Sequence, residues 1–391
     1  MDMNLTKAKM DQAIGVLKEL DIDMWLTICR ESSSVPDPVT DLIVGHGVMW
    51  LSCFFITQDG RTIALVGSAD AANYKRSDLY QEVVVYTQDV GKDLKDIVEK
   101  INPRRIAVNY SQSNYTADGL SHGLFLLLQE WLQGTPYVDR LISAEDIIAR
   151  VRGRKIKEEI GLLEKAAVMA DECWHAALKQ IKVGMTEIQI AALLEQSMRK
   201  RGVEPSFETV ANAGAKTEAG HGLPSTAVLE KGDLLHVDFG VRLEAFCSDI
   251  QRLAYFKKDH EKTAPPELLA AFNKVKSIIQ ETAKLYKPGA LGHEIDAVAR
   301  KMLLDDKYPV YDHGLGHQIG RAVHDGAASV APLWSRYGNM PRIPLEAGNC
   351  FTAELGIKVD GIGYTGLEED LIVTPEGGRF LGPCQIELIV K

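Results

Sequence analysis

The sequence predicts two domains, an α/β domain followed by an α+β domain, and three observations carry that prediction. The chain has 391 residues, enough for two domains at about 100–200 residues each. Its first 140 or so residues alternate helical and strand-like periodicity, the pattern of a sheet with covering helices. From about residue 149 the order changes: helical segments come first, and strands dominate the last ninety or so residues.

Each element has its own signal. Residues 7–20 carry helical periodicity, and 24–29, 50–57, 62–66, 83–87 and 106–109 read as short strands, with Asp59-Gly60 as a hairpin turn. Residues 93–101 and 121–132 read as helices between strands. Arg30, His46 and Asp70 stand as isolated polar residues with structural roles. The cap signal Ser143-Ala144-Glu145-Asp146 and a charged stretch from Ala149 to Glu159 open a long helix running to about Lys179. The domain boundary is therefore expected just before that stretch, giving domains 1–148 and 149–391. Val183-Gly184-Met185 ends the helix and Thr186-Glu187 starts another, to about Arg201. Strands follow at 234–239 and 247–255, then helices at 267–286 and 293–305.

Composition excludes several functions. With 44 Lys+Arg against 54 Asp+Glu the formal charge is −10, so the chain lacks the basic face that phosphate neutralisation requires, and no nucleic-acid partner is expected. The apolar runs fall far short of the roughly 18 residues of a membrane span, and the N-terminus lacks the apolar core of a secretory signal. A cytoplasmic protein with no membrane partner is expected. Cys29, Cys53, Cys173, Cys247, Cys350 and Cys384 are scattered without a CxxC pair, which suits reduced, buried thiols.

Chemistry concentrates in the second half. His313, His317 and His324 lie close together in a glycine-interrupted segment, where the lack of Cβ atoms lets imidazoles approach a ligand. Asp238 ends a strand pattern and Asp249 follows eleven residues later; carboxylates on successive strands joined by a hairpin converge on one point. Glu354 sits inside an apolar strand and Glu368 at the head of an apolar run. Buried carboxylates are costly unless paired or bound to metal. Four of them with a histidine form an oxygen-rich set suited to two divalent ions, Mn²⁺ or a neighbour in the first-row series.

The order of these residues resembles the pita-bread metallopeptidases: Asp, Asp eleven residues on, a His-Gly-x-Gly-His segment with a further His seven residues later, Glu after Phe-Thr-x, and Glu before a Val-Thr pair. The N-terminal α/β domain resembles the creatinase-like domain of the Xaa-Pro aminopeptidase, prolidase and creatinase branch. The resemblance implies a metal set of Asp238, Asp249, His317, Glu354 and Glu368, with Asp249 and Glu368 bridging two divalent ions, Mn first and Co, Zn or Fe as alternatives. It implies Glu354 as proton shuttle, His221 and His324 as catalytic histidines around the scissile amide, and His313 as a substrate-binding residue. Glu369 falls outside the ligand register. The implied activity is metal-dependent hydrolysis of the N-terminal bond of short peptides, Xaa-Pro peptides among them, by a homodimer. Two alternatives stay open: a creatinase-like hydrolase of a small non-peptide C–N bond, and a non-catalytic binding protein on the same scaffold.

Three positions depart from the family pattern. Gly366 stands where proline-specific members carry an arginine, Gln251 where a threonine is usual, and Leu355 where a proline is usual. The missing guanidinium removes an anchor for a dipeptide's carboxylate. His236, two residues before Asp238 in a strand, faces the same side, either as an extra site residue or as a packed histidine. The segment 325–348, with Trp334, Arg336, Tyr337 and Arg342, either borders the substrate cleft and supplies the missing cation or is a surface loop.

Overall fold

A computed structural model describes residues 3–215, 217 and 222–391. The chain divides into two compact units, Met1–Arg152 and Gly153–Lys391. The division falls four residues beyond the expected 148/149, because the helix Glu145–Gly153 runs through that point and ends at the glycine. The expected long helix to Lys179 is in fact two. The amide of Lys155 donates to Gly348 O at 3.0 Å, which takes it out of any helical ladder. A second helix, Lys157–Leu178, then restarts with Glu159 accepting from the Ile156 amide at 3.1 Å.

The first unit is built on a six-stranded mixed sheet, in the spatial order Glu82–Tyr86, Thr62–Gly67, Ser52–Thr57, Met24–Cys29, Ile106–Val108, Leu141–Ser143. The central strands are apolar on both faces, so alternate residues feed two cores. Trp25, Phe54, Ile56, Ala64 and Val66 pack with the helix Met3–Glu19 and with Tyr74. Leu26, Phe55, Ile63 and Leu65 pack with the helices Val90–Ile101 and His122–Leu132. A short helix, Ala71–Ser77, and the edge strand Leu141–Ser143 were not legible in the periodicity.

The second unit carries a seven-stranded sheet whose main path runs Cys350–Val359, Gly363–Thr374, Ile250–Tyr255, Leu234–Phe239, Val210–Ala213, all antiparallel. One parity of each strand goes to the helices. Leu235, Val237 and Phe239 pack with Trp174 and Leu194 from the helices Lys157–Leu178 and Glu187–Lys200. Phe351, Leu355, Leu367 and Leu371 pack with Phe272 and Ile279 of the helix Pro266–Ala283. The opposite parity leaves His236 and Asp238 on one strand, and Tyr364, Gly366 and Glu368 on another, to the other face. No helix among the described residues is long and apolar enough to cross a membrane.

Candidate metal centre

Register places the carboxylates. Asp238 pairs with Gln251, Gln251 with Glu368, and Glu368 with Glu354. Directly opposed residues of antiparallel strands project to the same face, so four polar side chains form one row across the sheet. Asp249 comes one residue before its strand and is oriented by its own amide, which donates to Asp370 Oδ2 at 3.0 Å.

His317 arrives from outside this sheet on the short strand Gly316–His317. Its approach depends on Gly316, where a Cβ would stand 2.0 Å from Thr352 O. The His317 Nδ1 lies 3.3 Å from Gln318 O; donation there leaves the Nε2 lone pair facing the acids. That Nε2 is 3.6 Å from Asp249 Oδ2 and 4.0 Å from Glu368 Oε1. Ligand atoms of Asp249, His317 and Glu368 all lie within 4.8 Å of one another. The segment carrying His317 and His324 is tied down by buried charge. Lys155 Nζ lies 2.8 Å from Asp325 Oδ2, the same oxygen accepts from the Arg321 amide, and Arg321 Nε reaches Glu159 Oε1 at 3.4 Å.

The acids behave as a group. Asp238, Asp249 and Glu354 are pushed well above the usual carboxylate range, first by burial and then by the neighbouring Glu368 charge. Glu368 is pushed up to about 7 by burial, against hydrogen bonds from Gln251 and Thr352 that pull it down. Three oxygens, Asp238 Oδ1, Asp249 Oδ1 and Glu368 Oε1, are buried with no hydrogen-bond partner among the described residues. Buried polar atoms are almost always satisfied. Unpaired oxygens converging from acids, beside an imidazole nitrogen, fit a divalent cation of hard or borderline character.

A cavity of about 540 Å³ opens over this row, lined in part by Asp238, Asp249, His313, His317, His324, Glu354 and Glu368. The His324 ring lies against that of His317, centroids 4.1 Å apart and planes tilted by 46°. His313 meets Tyr311 edge-on at 5.6 Å. The matching model of metallopeptidase family M24 spans residues 161–375, more than half of the chain.

The chain belongs to metallopeptidase family M24.

This M24 metallopeptidase is 31% identical over 249 residues to the Xaa-Pro dipeptidase of Pyrococcus horikoshii, covering 63% of this chain and 67% of the relative. Its fold is that of the Xaa-Pro dipeptidase from Bacillus anthracis (TM-score 0.78, 24% identity, 99% and 100% of the two chains). The X-Pro aminopeptidase from Thermotoga maritima is similar over 98% and 99% of the chains, with TM-score 0.74 and 26% identity. The fold is therefore pita-bread with an N-terminal α/β domain, and the family implies divalent metal.

The structure brings together Asp238, Asp249, His313, His317, His324, Glu354 and Glu368 in the M24 cavity. His221 lies outside the described residues. Glu369 points away, accepting from Arg252 Nη2 at 3.0 Å and the Gln385 amide at 2.8 Å. The segment 325–348 does border the cavity, through Tyr337 and Met340, and the Tyr337 hydroxyl accepts from the Gly314 amide at 2.8 Å. Its arginines do not supply a cation there. Arg336 lies against the Trp334 and Tyr337 rings and donates to Asp312 O, and among the described residues the lining holds no lysine or arginine.

His236 is a site residue: it is buried, lines the cavity, and meets the Tyr364 ring edge-on at 5.5 Å. Burial pushes its imidazole down to about 4, so it is neutral. Tyr364 escaped the sequence reading, although the two-residue period from Glu368 through Gly366 marks it as facing the site. Gln251 was visible only as a departure. In the structure its amide touches two of the acids, Nε2 lying 2.9 Å from Glu368 Oε2 and 3.2 Å from Glu354 Oε2.

Proposed function

We propose that this M24 metallopeptidase holds two divalent ions, Mn²⁺ first among them, and hydrolyses the N-terminal bond of short peptides, Xaa-Pro peptides included. Asp238, Asp249, His317, Glu354 and Glu368 would hold the ions. The observation that carries the reading is the cluster of buried acids, three of their oxygens without a hydrogen-bond partner among the described residues, beside the His317 Nε2 in one cavity. Relatives named as an Xaa-Pro dipeptidase and an X-Pro aminopeptidase support the peptide class.

When bound, the ions supply charge that polarises a carbonyl and lowers the pKa of a water. Glu354, partly open to the cavity, takes a proton from the attacking water and delivers it to the departing amine; its raised affinity for protons suits that exchange. His324 donates a hydrogen bond to the carbonyl oxygen as it gains negative charge. His221 acts on the scissile amide, and His313 contacts the substrate from the Tyr311 side. The apolar lining from Phe207, Val210, Leu223 and Val323 excludes water from the reacting bond. The domain boundary is read at the end of the helix Glu145–Gly153 rather than at 148/149, the active form is a homodimer, and the location is cytoplasmic.

A panel of di- and tripeptides with and without proline second, assayed with added Mn²⁺, tests this. Metal-dependent release of the first residue is expected, with tripeptides cleaved at least as well as dipeptides because no cation of the described lining pairs with a dipeptide's carboxylate. No turnover at full metal loading would overturn the peptidase assignment, and preference for a small substrate with a non-peptide C–N bond would favour the creatinase-like chemistry.

A further inference from the structure

Glu354 and Glu368 are directly opposed across two strands, an arrangement in which like charges repel. One neutral side chain touches both. Gln251 Nε2 lies 3.2 Å from Glu354 Oε2 and 2.9 Å from Glu368 Oε2, while its Oε1 lies 2.9 Å from His236 Nε2. A primary amide has two N–H donors and an ionised carboxylate only accepts, so both hydrogens are committed. A hydroxyl at this position has one proton and cannot serve two acids.

The orientation of that amide follows from its neighbours. Turned over, it would set its oxygen against two carboxylates and its nitrogen against an N–H. As placed, Oε1 accepts from His236, which fixes the proton of that imidazole on Nε2. The other nitrogen, Nδ1, is buried without a partner among the described residues, as an unprotonated nitrogen away from any donor would be. Tyr364 closes against the His236 ring and limits its rotation.

Gly366 belongs to the same assembly. A Cβ built there would come 2.5 Å from Gln251 Oε1, 2.6 Å from Tyr364 Cε1 and 2.8 Å from His236 Nε2. The volume that a side chain at 366 would fill is thus taken by the amide and the imidazole.

We propose that Gln251 is the positioning residue of the metal centre: its amide clamps Glu354 and Glu368 through their Oε2 atoms, His236 locks the amide, and Gly366 leaves the clamp its room. This rests on the ligand assignment made above. The clamp turns Glu368 Oε1, which has no partner, toward His317 Nε2 at 4.0 Å. Two long acidic side chains are thereby ordered before any metal arrives, so the ordering cost at binding is reduced.

The test uses the full chain stripped with a chelator, with Mn²⁺ titrated by calorimetry and peptide turnover measured in parallel. Gln251→Met keeps the volume and removes both donors; Gln251→Glu keeps the shape and adds charge. Both are expected to weaken Mn²⁺ binding by about 10–100-fold, as loss of a partner behind a ligand does. At saturating metal, kcat falls while KM changes little. Gly366→Ala is expected to weaken Mn²⁺ in the same direction, and by less when Gln251 is already serine, since neighbouring sites couple. Wild-type Mn²⁺ affinity and kcat in either folded Gln251 variant, with only a lowered melting temperature, would overturn the proposal. Full additivity of the 366 and 251 changes would remove Gly366 from the clamp. Wild type that binds Mn²⁺ but cleaves no peptide refutes the peptidase reading while the affinity arm still decides the clamp. Wild type that binds no Mn²⁺ refutes both.

Discussion

Each unit of the chain buries an aspartate in its sheet region, and the two are treated differently. In the first unit Asp37 is enclosed, yet its oxygens are answered: the Val39 amide donates at 2.9 Å and Asn109 Nδ2 reaches both oxygens at 3.1 Å. Asn109 in turn accepts from Trp25 Nε1 at 2.6 Å. In the second unit Asp249 is equally enclosed, but its Oδ1 has no partner, and its neighbours are acids. Burial raises the proton affinity of both. What separates Asp37 from Asp249 is the pairing of their oxygens, not their depth.

The largest test of this contrast removes an acid from the second unit. Asp249→Ala is expected to lose bound metal, read by metal analysis, together with hydrolysis; Glu354→Gln is expected to lower kcat by about 10²–10⁴-fold while the fold survives. An Asp249→Ala protein that retains metal and activity would break the contrast.

Next comes pH. Asp37 is raised to about 6 by burial, against hydrogen bonds from Val39 and Asn109 that pull it down, and Glu368 is raised to about 7. Between its unfolded and folded pKa such an acid holds more protons folded than unfolded, so stability falls as pH rises through that window. For Asp37 the window is 3.8 to about 6, a loss on the order of 3 kcal/mol; for Glu368 it is 4.5 to about 7. Saturating Mn²⁺ should reverse the slope belonging to Glu368, because ligands must be deprotonated to bind. It should leave the Asp37 slope, which Asp37→Asn alone flattens. Thermal midpoints from pH 4 to 8, with chelator and with Mn²⁺, read both.

The smallest effect is Asn109→Ala. Asp37 and Trp25 would each lose a buried partner, costing about 1–3 kcal/mol in a denaturant melt. Activity per folded molecule should be unchanged.

That the acids and His317 would come together in one cavity was legible from their residue types and from the order that resembles the family, and the first unit's strands were legible as short apolar runs buried on both faces. The boundary of the long helix was not: only the distant Gly348 carbonyl, by taking the Lys155 amide, shows why it breaks. Gln251 showed only as a departure from the family pattern because its partners, His236 and Gly366, are 15 residues before it and 115 after it in sequence. Spacing along the chain carries no trace of a three-residue lock made across strands. Of the readings left open for the segment 325–348, bordering the cavity holds through Tyr337 and Met340, but Arg336 brings no cation there because aromatic faces of its own loop hold it.

The buried charges beneath the histidine segment have a practical corollary for anyone dividing this protein. Lys155 and Glu159 precede residue 161, where the family match begins, yet they grip Asp325 and Arg321 between and beyond the two site histidines. A fragment cut to the family limits would keep Asp238, Asp249, His317, Glu354 and Glu368, the five proposed ligands, and discard the anchors of the segment that presents His317. Excision has to start at or before Gly153, and the apparent edge of a family lies inside the machine it delimits.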